Sequence, residues 1–203
     1  MTIVEELACT ADSDELLIEG FGRGDRQVAA RIYDRLGGIV DSTLYRILGA
    51  GGHDHDDLVQ SAFEQIIRSL VRRQFRRASS LSFWALAVTT HVAHSALRSR
   101  IRERALVDRG QDGLDTPSSR PEDDVERTVG TREELERLRV HLGRISRENA
   151  EALIQHHVLG YGFAEVAKMS GVSVPAAQSR VLRGRHELRQ RAAADPKLNA
   201  RTG

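Results

Sequence analysis

Two short apolar repeats within residues 163–189, separated by a glycine, constrain the fold more than any other feature. Each repeat has helical spacing, and Gly171 interrupts the pattern between them. Gly171 can adopt the positive φ that a tight turn after a helix requires, and Ser173 can cap the helix that follows. The inward-facing residues would be Val166, Ala167 and Met169 in the first repeat, and Val174, Ala177, Val181 and Leu188 in the second. The pattern predicts a helix-turn-helix.

With that stripe turned inward, the outer face of the second helix carries side chains suited to nucleic acid. Glutamine can pair with an adenine edge and arginine with guanine, each bidentate contact giving about 1–3 kcal/mol of discrimination. The candidate base-reading residues are Gln178, Ser179, Leu182 and Arg183, and the candidate phosphate-binding residues are Arg180, Arg185 and Arg189. The alternative is a solvated amphipathic helix whose arginines contact only water. The glycine, the cap and the outward donors together favour DNA binding.

Charge is segregated along the chain, although its total is nearly balanced at thirty basic and twenty-nine acidic residues. Residues 68–104 contain nine arginines and one acid, Glu103, for a net charge of +8. Residues 108–136 contain ten acids and four arginines, for a net charge of −6. The basic segment favours a polyanionic partner, and the acidic segment favours solvent.

Periodic apolar residues predict further helices upstream of the helix-turn-helix. Asp25 can open a second helix, and acids at Asp54, Asp56 and Asp57 precede a third helix that continues to Leu70. Ser82 can cap a fourth helix. Its predicted inward residues are Trp84, Val88, Val92, Ala96 and Ile101, and its predicted outward residues are Ala87, His91, His94, Ser95, Arg98 and Arg102.

No segment alternates as a strand would, so we predict an all-α fold. It comprises two small helical domains joined by a flexible linker, and the C-terminal domain contains the helix-turn-helix. The expected boundaries are 1–106 for the first domain, 107–130 for the linker and 131–203 for the second domain with its tail. The linker has Gly113, Pro117, Pro121 and many acids, so it cannot bury enough apolar surface to offset its ordering entropy.

The single cysteine, Cys9, excludes an internal disulfide and is typical of a reducing compartment. No apolar run approaches the ~20 residues that span a bilayer, and the N-terminus is acidic rather than basic and then apolar. We therefore expect a cytoplasmic protein with neither a membrane span nor a signal peptide.

Three strings in order resemble the conserved domains of the extracytoplasmic-function (ECF, group IV) sigma factors, a branch of the sigma-70 family. They are DHDDLVQSAFEQIIRSL, SFWALAVTTHVAHSALRSR and LGYGFAEVAKMSGVSVPAAQSRVLRGRHELR. The resemblance covers about residues 14–191. It implies a factor that binds core RNA polymerase, directs it to promoter DNA and helps to open the duplex. It also implies sigma region 2 in the first domain, sigma region 4 in the second, and an anti-sigma partner.

The resemblance also assigns roles to particular positions. The third helix matches the surface that docks on the clamp helices of the largest polymerase subunit, at Asp57, Leu58, Gln60, Phe63 and Arg68. The next loop and the fourth helix match the part that captures and melts the −10 element, at Arg72, Arg73, Phe75, Arg76, Arg77, Trp84, His91, Ser95 and Arg98. Gln178, Ser179, Leu182 and Arg183 match the positions that read the −35 element. An arginine-rich loop with Phe75 can follow a phosphate backbone and stack on an unpaired base.

Five departures from the family pattern bear on promoter recognition. His91 and Ser95 stand where the family usually has asparagine and aspartate, and Gln178 replaces a basic residue. Pro175-Ala176 replaces a common glycine-threonine, although proline is benign in a first helical turn. Ile145-Ser146 replaces the customary leucine-proline. These departures bear on which promoter is read more than on the general function.

Other interpretations remain open. Residues 53–57 (HDHDD) could ligate a metal, but an acid-capped helix explains them, and we expect no metal or cofactor. Trp84 could be a plain core residue. No nucleophile has a base and orienter, so we expect no catalytic activity. The alternative functions are a stand-alone helix-turn-helix regulator, which leaves residues 54–104 without a role, and a degenerate sigma-like protein that docks without opening promoters.

Overall fold

The computed structural model describes residues 11–49, 54–75, 79–110 and 125–199. The regular elements are α1 (Ala11–Gly22), α2 (Arg26–Leu48), α3 (His55–Val71), α4 (Leu81–Gly110), α5 (Val125–Gly143), α6 (Arg147–Leu153), a π-helical turn (Ile154–Val158), α7 (Phe163–Ser170), α8 (Val174–Ala193) and α9 (Pro196–Asn199). No strand occurs within these ranges. The all-α prediction is confirmed for this part of the chain.

The N-terminal helices α1 to α4 pack around a stripe on α2. Ile32, Leu36, Val40 and Leu44 repeat every four residues on one face and are all fully buried. Asp25 caps α2 as predicted, because its carboxylate accepts a hydrogen bond from the Gln27 N–H at 2.9 Å. This single-faced burial holds α2 as one continuous helix of 23 residues.

A buried carboxylate fixes the start of α4. Asp14 Oδ2 accepts a hydrogen bond from the Leu81 N–H at 2.8 Å, and Asp14 Oδ1 lies 2.7 Å from Arg35 Nη2. A carboxylate at a helix N-terminus also interacts favourably with the helix dipole. Asp14 therefore joins α1, α2 and the first residue of α4.

The predicted cap of α4 is wrong by two positions. Ser82 lies inside the helix and is only 6 % exposed. Ser80 provides the cap instead, because its Oγ accepts a hydrogen bond from the Phe83 N–H at 3.2 Å. Ser80 and Ser82 are both suitable N-cap residues by local sequence. The hydrogen bond from the Leu81 N–H to Asp14 determines that Ser80 is the cap.

The C-terminal helices pack around α6 and the turn that follows it. Ala150 of α6, Ile154 of the π-helical turn, Val166 of α7 and Ala177 of α8 are each fully buried. The chain then reverses through residues 159–162 into α7. This arrangement positions α8 on the outside of a small helical core.

Helix occupies both ends of the predicted 107–130 linker. α4 continues to Gly110 and α5 begins at Val125, whereas residues 111–124 lie outside the described part of the chain. Extending an existing helix requires no new nucleus, so good helix formers such as Ala105 and Leu106 prolong α4. None of the helices described here is both long enough and apolar enough to cross a membrane.

Candidate nucleic-acid and protein interfaces

The turn between α7 and α8 has the predicted geometry. Gly171 is left-handed, with φ 64° and ψ 35°, and the Val172 N–H donates a hydrogen bond to the Ala167 carbonyl at 3.0 Å. The Ser173 hydroxyl oxygen accepts from the Ala176 N–H at 3.4 Å, as a cap should. The helix-turn-helix prediction is confirmed.

The structure brings the predicted −35-reading residues together on one open face of α8. Gln178, Ser179 and Arg183 are exposed, and Leu182 is 54 % exposed despite being apolar. Of the predicted phosphate-binding residues, Arg185 and Arg189 are exposed and Arg180 is half-buried. Their positions suit DNA contact, and their individual roles stay predictions.

One residue of the predicted inward stripe of α8 faces outward. Val174 is 40 % exposed because it begins the helix, ahead of the turns that contact the core. The buried contact is made by Ala177, Val181 and Gly184. The helical period of the apolar residues does not show at which residue of α8 the contact with the core begins.

Gly184 is an anchor that the sequence analysis missed. A Cβ at this position would lie 2.7 Å from the carbonyl oxygen of Asn149 in α6, so only glycine permits this approach. Beside it, Asn149 Nδ2 donates a hydrogen bond to Glu187 Oε1 at 2.7 Å. A glycine inside a helix costs about 1 kcal/mol relative to alanine, which is a signal that could have indicated close packing.

The surface next to α8 carries positive charge. Burial, His156 and Arg185 together lower the pKa of His157, so its imidazole is neutral at pH 7. The rings of His156 and His157 touch edge to face with centroids 4.7 Å apart. The Arg185 guanidinium is the positive charge that acts on His157 at this surface.

The loop after α3 carries part of the predicted −10 site. Arg72 and Arg73 are exposed, and Arg73 has a left-handed φ of 53°. Phe75 packs on the half-buried Trp84 with ring centroids 5.2 Å apart. Trp84 is thus neither a fully enclosed core residue nor a free surface residue. Arg76 and Arg77 lie outside the described residues.

Further along α4, the predicted −10 residues divide into free and engaged groups. Ser95 and Arg98 are exposed. The His91 Nδ1 lies 2.8 Å from Glu151 Oε1 of α6. Because an ionised carboxylate only accepts hydrogen bonds, the His91 Nδ1–H is the donor. Glu151 lies 60 positions from His91, so no local pattern around the predicted −10 residue indicates this partner.

His94 was predicted to face outward, and this is wrong. It is 1 % exposed, and Glu151 of α6 and the Leu142 backbone of α5 face its ring. Burial lowers its pKa; Glu151 opposes the shift, as does a hydrogen bond to the backbone of Leu142, whereas Arg98 and His91 add to it. The predicted inward face of α4 is also incomplete. Of its five residues only Val92 is buried and the other four are half-buried, whereas Ala85, Thr89 and Ala93 are fully buried.

The predicted polymerase-binding residues on α3 do not form one uniform surface. Asp57, Gln60 and Arg68 are exposed and Leu58 is half-buried. Phe63 is 8 % exposed, because its ring lies under Tyr33 of α2 with centroids 4.4 Å apart. Tyr33, which is itself exposed, occupies the surface at this point and was missed because it lies about thirty positions upstream.

The described ranges contain no cluster of three or more histidine, cysteine, aspartate or glutamate residues that could hold a metal ion. His55, from the acidic string at the start of α3, is hydrogen-bonded to Asp41 at 2.8 Å. His53 lies outside the described part.

Comparison with known proteins identifies relatives of this architecture. The family model for sigma-70 region 2 matches residues 32–103. The ECF RNA polymerase sigma factor SigC of Mycobacterium tuberculosis and the probable RNA polymerase sigma-C factor of Mycobacterium bovis are each 31 % identical over 135 residues, covering 66 % of this chain and 67 % of the relative. The RNA polymerase sigma factor CarQ of Myxococcus xanthus is 27 % identical over 173 residues, covering 85 % of this chain and 94 % of CarQ.

A solved structure shares the fold at lower identity. CnrH, solved in complex with the cytosolic domain of CnrY, superposes with a TM-score of 0.50 and 21 % identity, covering 92 % of this chain and 99 % of CnrH. Helix-turn-helix geometry, an arginine-rich α4 region and these relatives agree, and the chain belongs to the ECF RNA polymerase sigma factors.

Proposed function

We propose that this chain binds core RNA polymerase through α3 and directs it to promoters by reading the −35 element with α8 and the −10 element with α4 and the loop before it. The observation that carries this assignment is the open face of α8, where Gln178, Ser179 and Arg183 project from a properly capped helix-turn-helix. The basic charge of residues 68–104, a segment separate from α8, supports a second DNA-contacting part.

The division of labour follows from the chemistry of each part. Exposed glutamine and arginine side chains on a helix can pair with base edges in the major groove. Arg72 and Arg73, beside the Phe75–Trp84 pair, offer phosphate contacts next to an aromatic surface. Aromatic surfaces of this kind bind unstacked bases, as strand opening requires.

The partners are core RNA polymerase, promoter DNA and an anti-sigma factor, as in the family to which the chain belongs. The chain has no reaction of its own to catalyse, because the polymerase performs the synthesis. It works in the cytoplasm, where the template lies. Exposure of Asp57, Gln60 and Arg68 on α3 supports the proposed polymerase contact.

Transcription with purified components tests this proposal. The full chain is added to core polymerase on genomic fragments, and start sites are mapped with and without it. We expect start sites that depend on the chain. Duplex binding without polymerase association would instead support a stand-alone regulator. Polymerase association without new start sites would support a degenerate sigma-like protein.

A further inference from the structure

Four arginines from three parts of the chain line one cavity, which has a volume of about 470 Å³. Helix α4 contributes Arg98 and Arg102, the turn between α5 and α6 contributes Arg144, and the last turn of α8 contributes Arg191. All four are exposed. None of the described residues that line this four-arginine cavity carries a carboxylate, so its lining has a charge of +4.

The four guanidinium groups have no partner within the described part of the chain, where none of them forms an ion pair or a hydrogen bond. A neighbouring cavity differs, because three arginines and three acids line it together. There, Arg137 lies 3.3 Å from Glu133 and 3.6 Å from Asp195. The neighbouring cavity thus balances its own charge, whereas the four-arginine cavity needs an anion from outside the chain.

The rest of the lining combines apolar groups with one free hydroxyl. Ile145 is buried and Ile101 is half-buried. Ser146 is the N-cap residue of α6, but its side chain makes no capping hydrogen bond. Its hydroxyl can therefore donate to a ligand in the cavity. Ile145-Ser146 stands where the family usually has leucine-proline, so this chain has a donor that the family pattern lacks.

The chemistry of the lining selects the class of anion. Guanidinium groups pair with phosphate through two parallel hydrogen bonds, and they stay charged at every physiological pH. A concave site of one charge sign also raises the local concentration of counter-ions. The cavity volume lies within the range of about 300–1,000 Å³ that is typical of small-molecule sites. A DNA duplex is too wide to enter such a cavity, so a compact ligand with several negative charges fits best.

We propose that the four-arginine cavity binds a small anion with two or three linked phosphates, either an inorganic oligophosphate or the phosphate end of a nucleotide. Arg102 and Arg144 bind phosphate oxygens from opposite elements, and the Ser146 hydroxyl donates a further hydrogen bond. In a nucleotide, the base can pack on Ile101. This site goes beyond the proposed function, because neither polymerase nor promoter takes part in it.

Isothermal titration calorimetry on the full chain tests the site, without polymerase or DNA and without Mg²⁺, at an ionic strength of about 0.15 M. The probes are inorganic triphosphate, ATP, adenosine and inorganic phosphate. Arg102→Ala and Arg144→Ala each remove one arginine of the cavity, and Ser146→Ala removes the hydroxyl. Arg31→Ala is the matched control, because this exposed arginine of α2 does not line the cavity.

We expect one inorganic triphosphate to bind per chain, and inorganic phosphate to bind far more weakly. Arg102→Ala and Arg144→Ala should each weaken triphosphate binding about tenfold, because each loses hydrogen bonds from a charged donor. Ser146→Ala should weaken it about threefold, and Arg31→Ala should match the parent. Equal affinities for triphosphate and ATP would assign the site to phosphates alone. Tighter binding of ATP, with no binding of adenosine, would assign it to a nucleotide.

The proposal fails if neither triphosphate nor ATP binds saturably to the folded parent, or if Arg102→Ala and Arg144→Ala both leave the affinity unchanged. An equal loss in Arg31→Ala would show general charge attraction instead of a site. A random-sequence duplex is titrated in parallel. If Arg102→Ala and Arg144→Ala weaken its binding as much as they weaken triphosphate binding, the cavity belongs to a DNA-contacting surface and the proposal is overturned. Circular dichroism checks that each variant keeps its helical content.

Discussion

The two helices that we propose to contact DNA, α8 and α4, differ in how much of their proposed contact surface is exposed. On α8, Gln178, Leu182 and Arg183 are open to solvent on a helix anchored from behind by Gly184. On α4, His91 is engaged by Glu151 and His94 is buried beneath the C-terminal half. The surface proposed to read the −35 element is open in the free chain, whereas the surface proposed to read the −10 element is partly covered.

The largest expected effect concerns the anchor of α4. Asp14→Ala removes the carboxylate that caps Leu81 and pairs with Arg35, leaving a cationic side chain without this partner. We expect the free energy of unfolding to fall by about 3 kcal/mol. Urea denaturation of the full chain measures it. Asp34→Ala, at an exposed position on α2, is the control and should change stability by less than about 0.5 kcal/mol.

The next effect tests how α8 is held. Gly184→Ala forces a Cβ to within 2.7 Å of the Asn149 carbonyl, so we expect a loss of about 2 kcal/mol in stability and weaker duplex binding. Gly37→Ala is the matched control, because its Cβ would enter open space in α2. That change should stabilise the protein by about 0.5–1 kcal/mol. Equal destabilisation by both changes would contradict the packing role of Gly184.

Substitutions on the exposed face of α8 should distinguish a residue that reads the DNA sequence from a residue that contacts phosphate. Arg183→Ala should reduce discrimination between matched and mismatched −35 duplexes by about 1–2 kcal/mol. Arg189→Ala should lower affinity for all duplexes alike and reduce the salt slope by about one unit. Binding measured across a salt series distinguishes them, and the division of roles fails if both variants behave identically on both duplexes.

The smallest expected effect is on the covered face of α4. Burial lowers the pKa of His94 below its ordinary value of 6.5 in the folded chain, and unfolding restores it. The unfolded chain therefore binds more protons, so this contribution to the free energy of unfolding is complete above pH 6.5 and weakens as pH falls from 6.5 toward the lowered pKa. The groups facing His94 are Glu151 from α6, the Leu142 backbone from α5, and Arg98 and His91 on α4 itself.

Urea denaturation of the full chain, recorded as a function of pH, measures this effect. We expect the free energy of unfolding to fall on acidification in the parent chain and to fall less in His94→Leu, which lacks the titrating ring. A pH response of the same size in His94→Leu would show that another group causes the pH dependence.

Much of the fold follows from short-range signals. Asp25 caps α2 and Gly171 turns left-handed before α8, as each local pattern predicts. The choice of Ser80 over Ser82 was not predictable, because Asp14 determines it from 67 positions upstream of Leu81. The candidate site also combines predictable and unpredictable features. The exposure of the α8 face was predictable from its helical period, whereas the burial of His94 on α4 was not.

The sequence by itself determined the helices, the helix-turn-helix and the segregation of charge, because periodicity, caps and turns depend on residues only a few positions apart. Tertiary structure alone decided which polar residues are free. His91 meets Glu151 from 60 positions away and Arg46 meets Val158 from 112, and such pairs leave no local trace. The physical reason is that a side chain's exposure depends on what packs over it, which the chain settles only after its helices have formed.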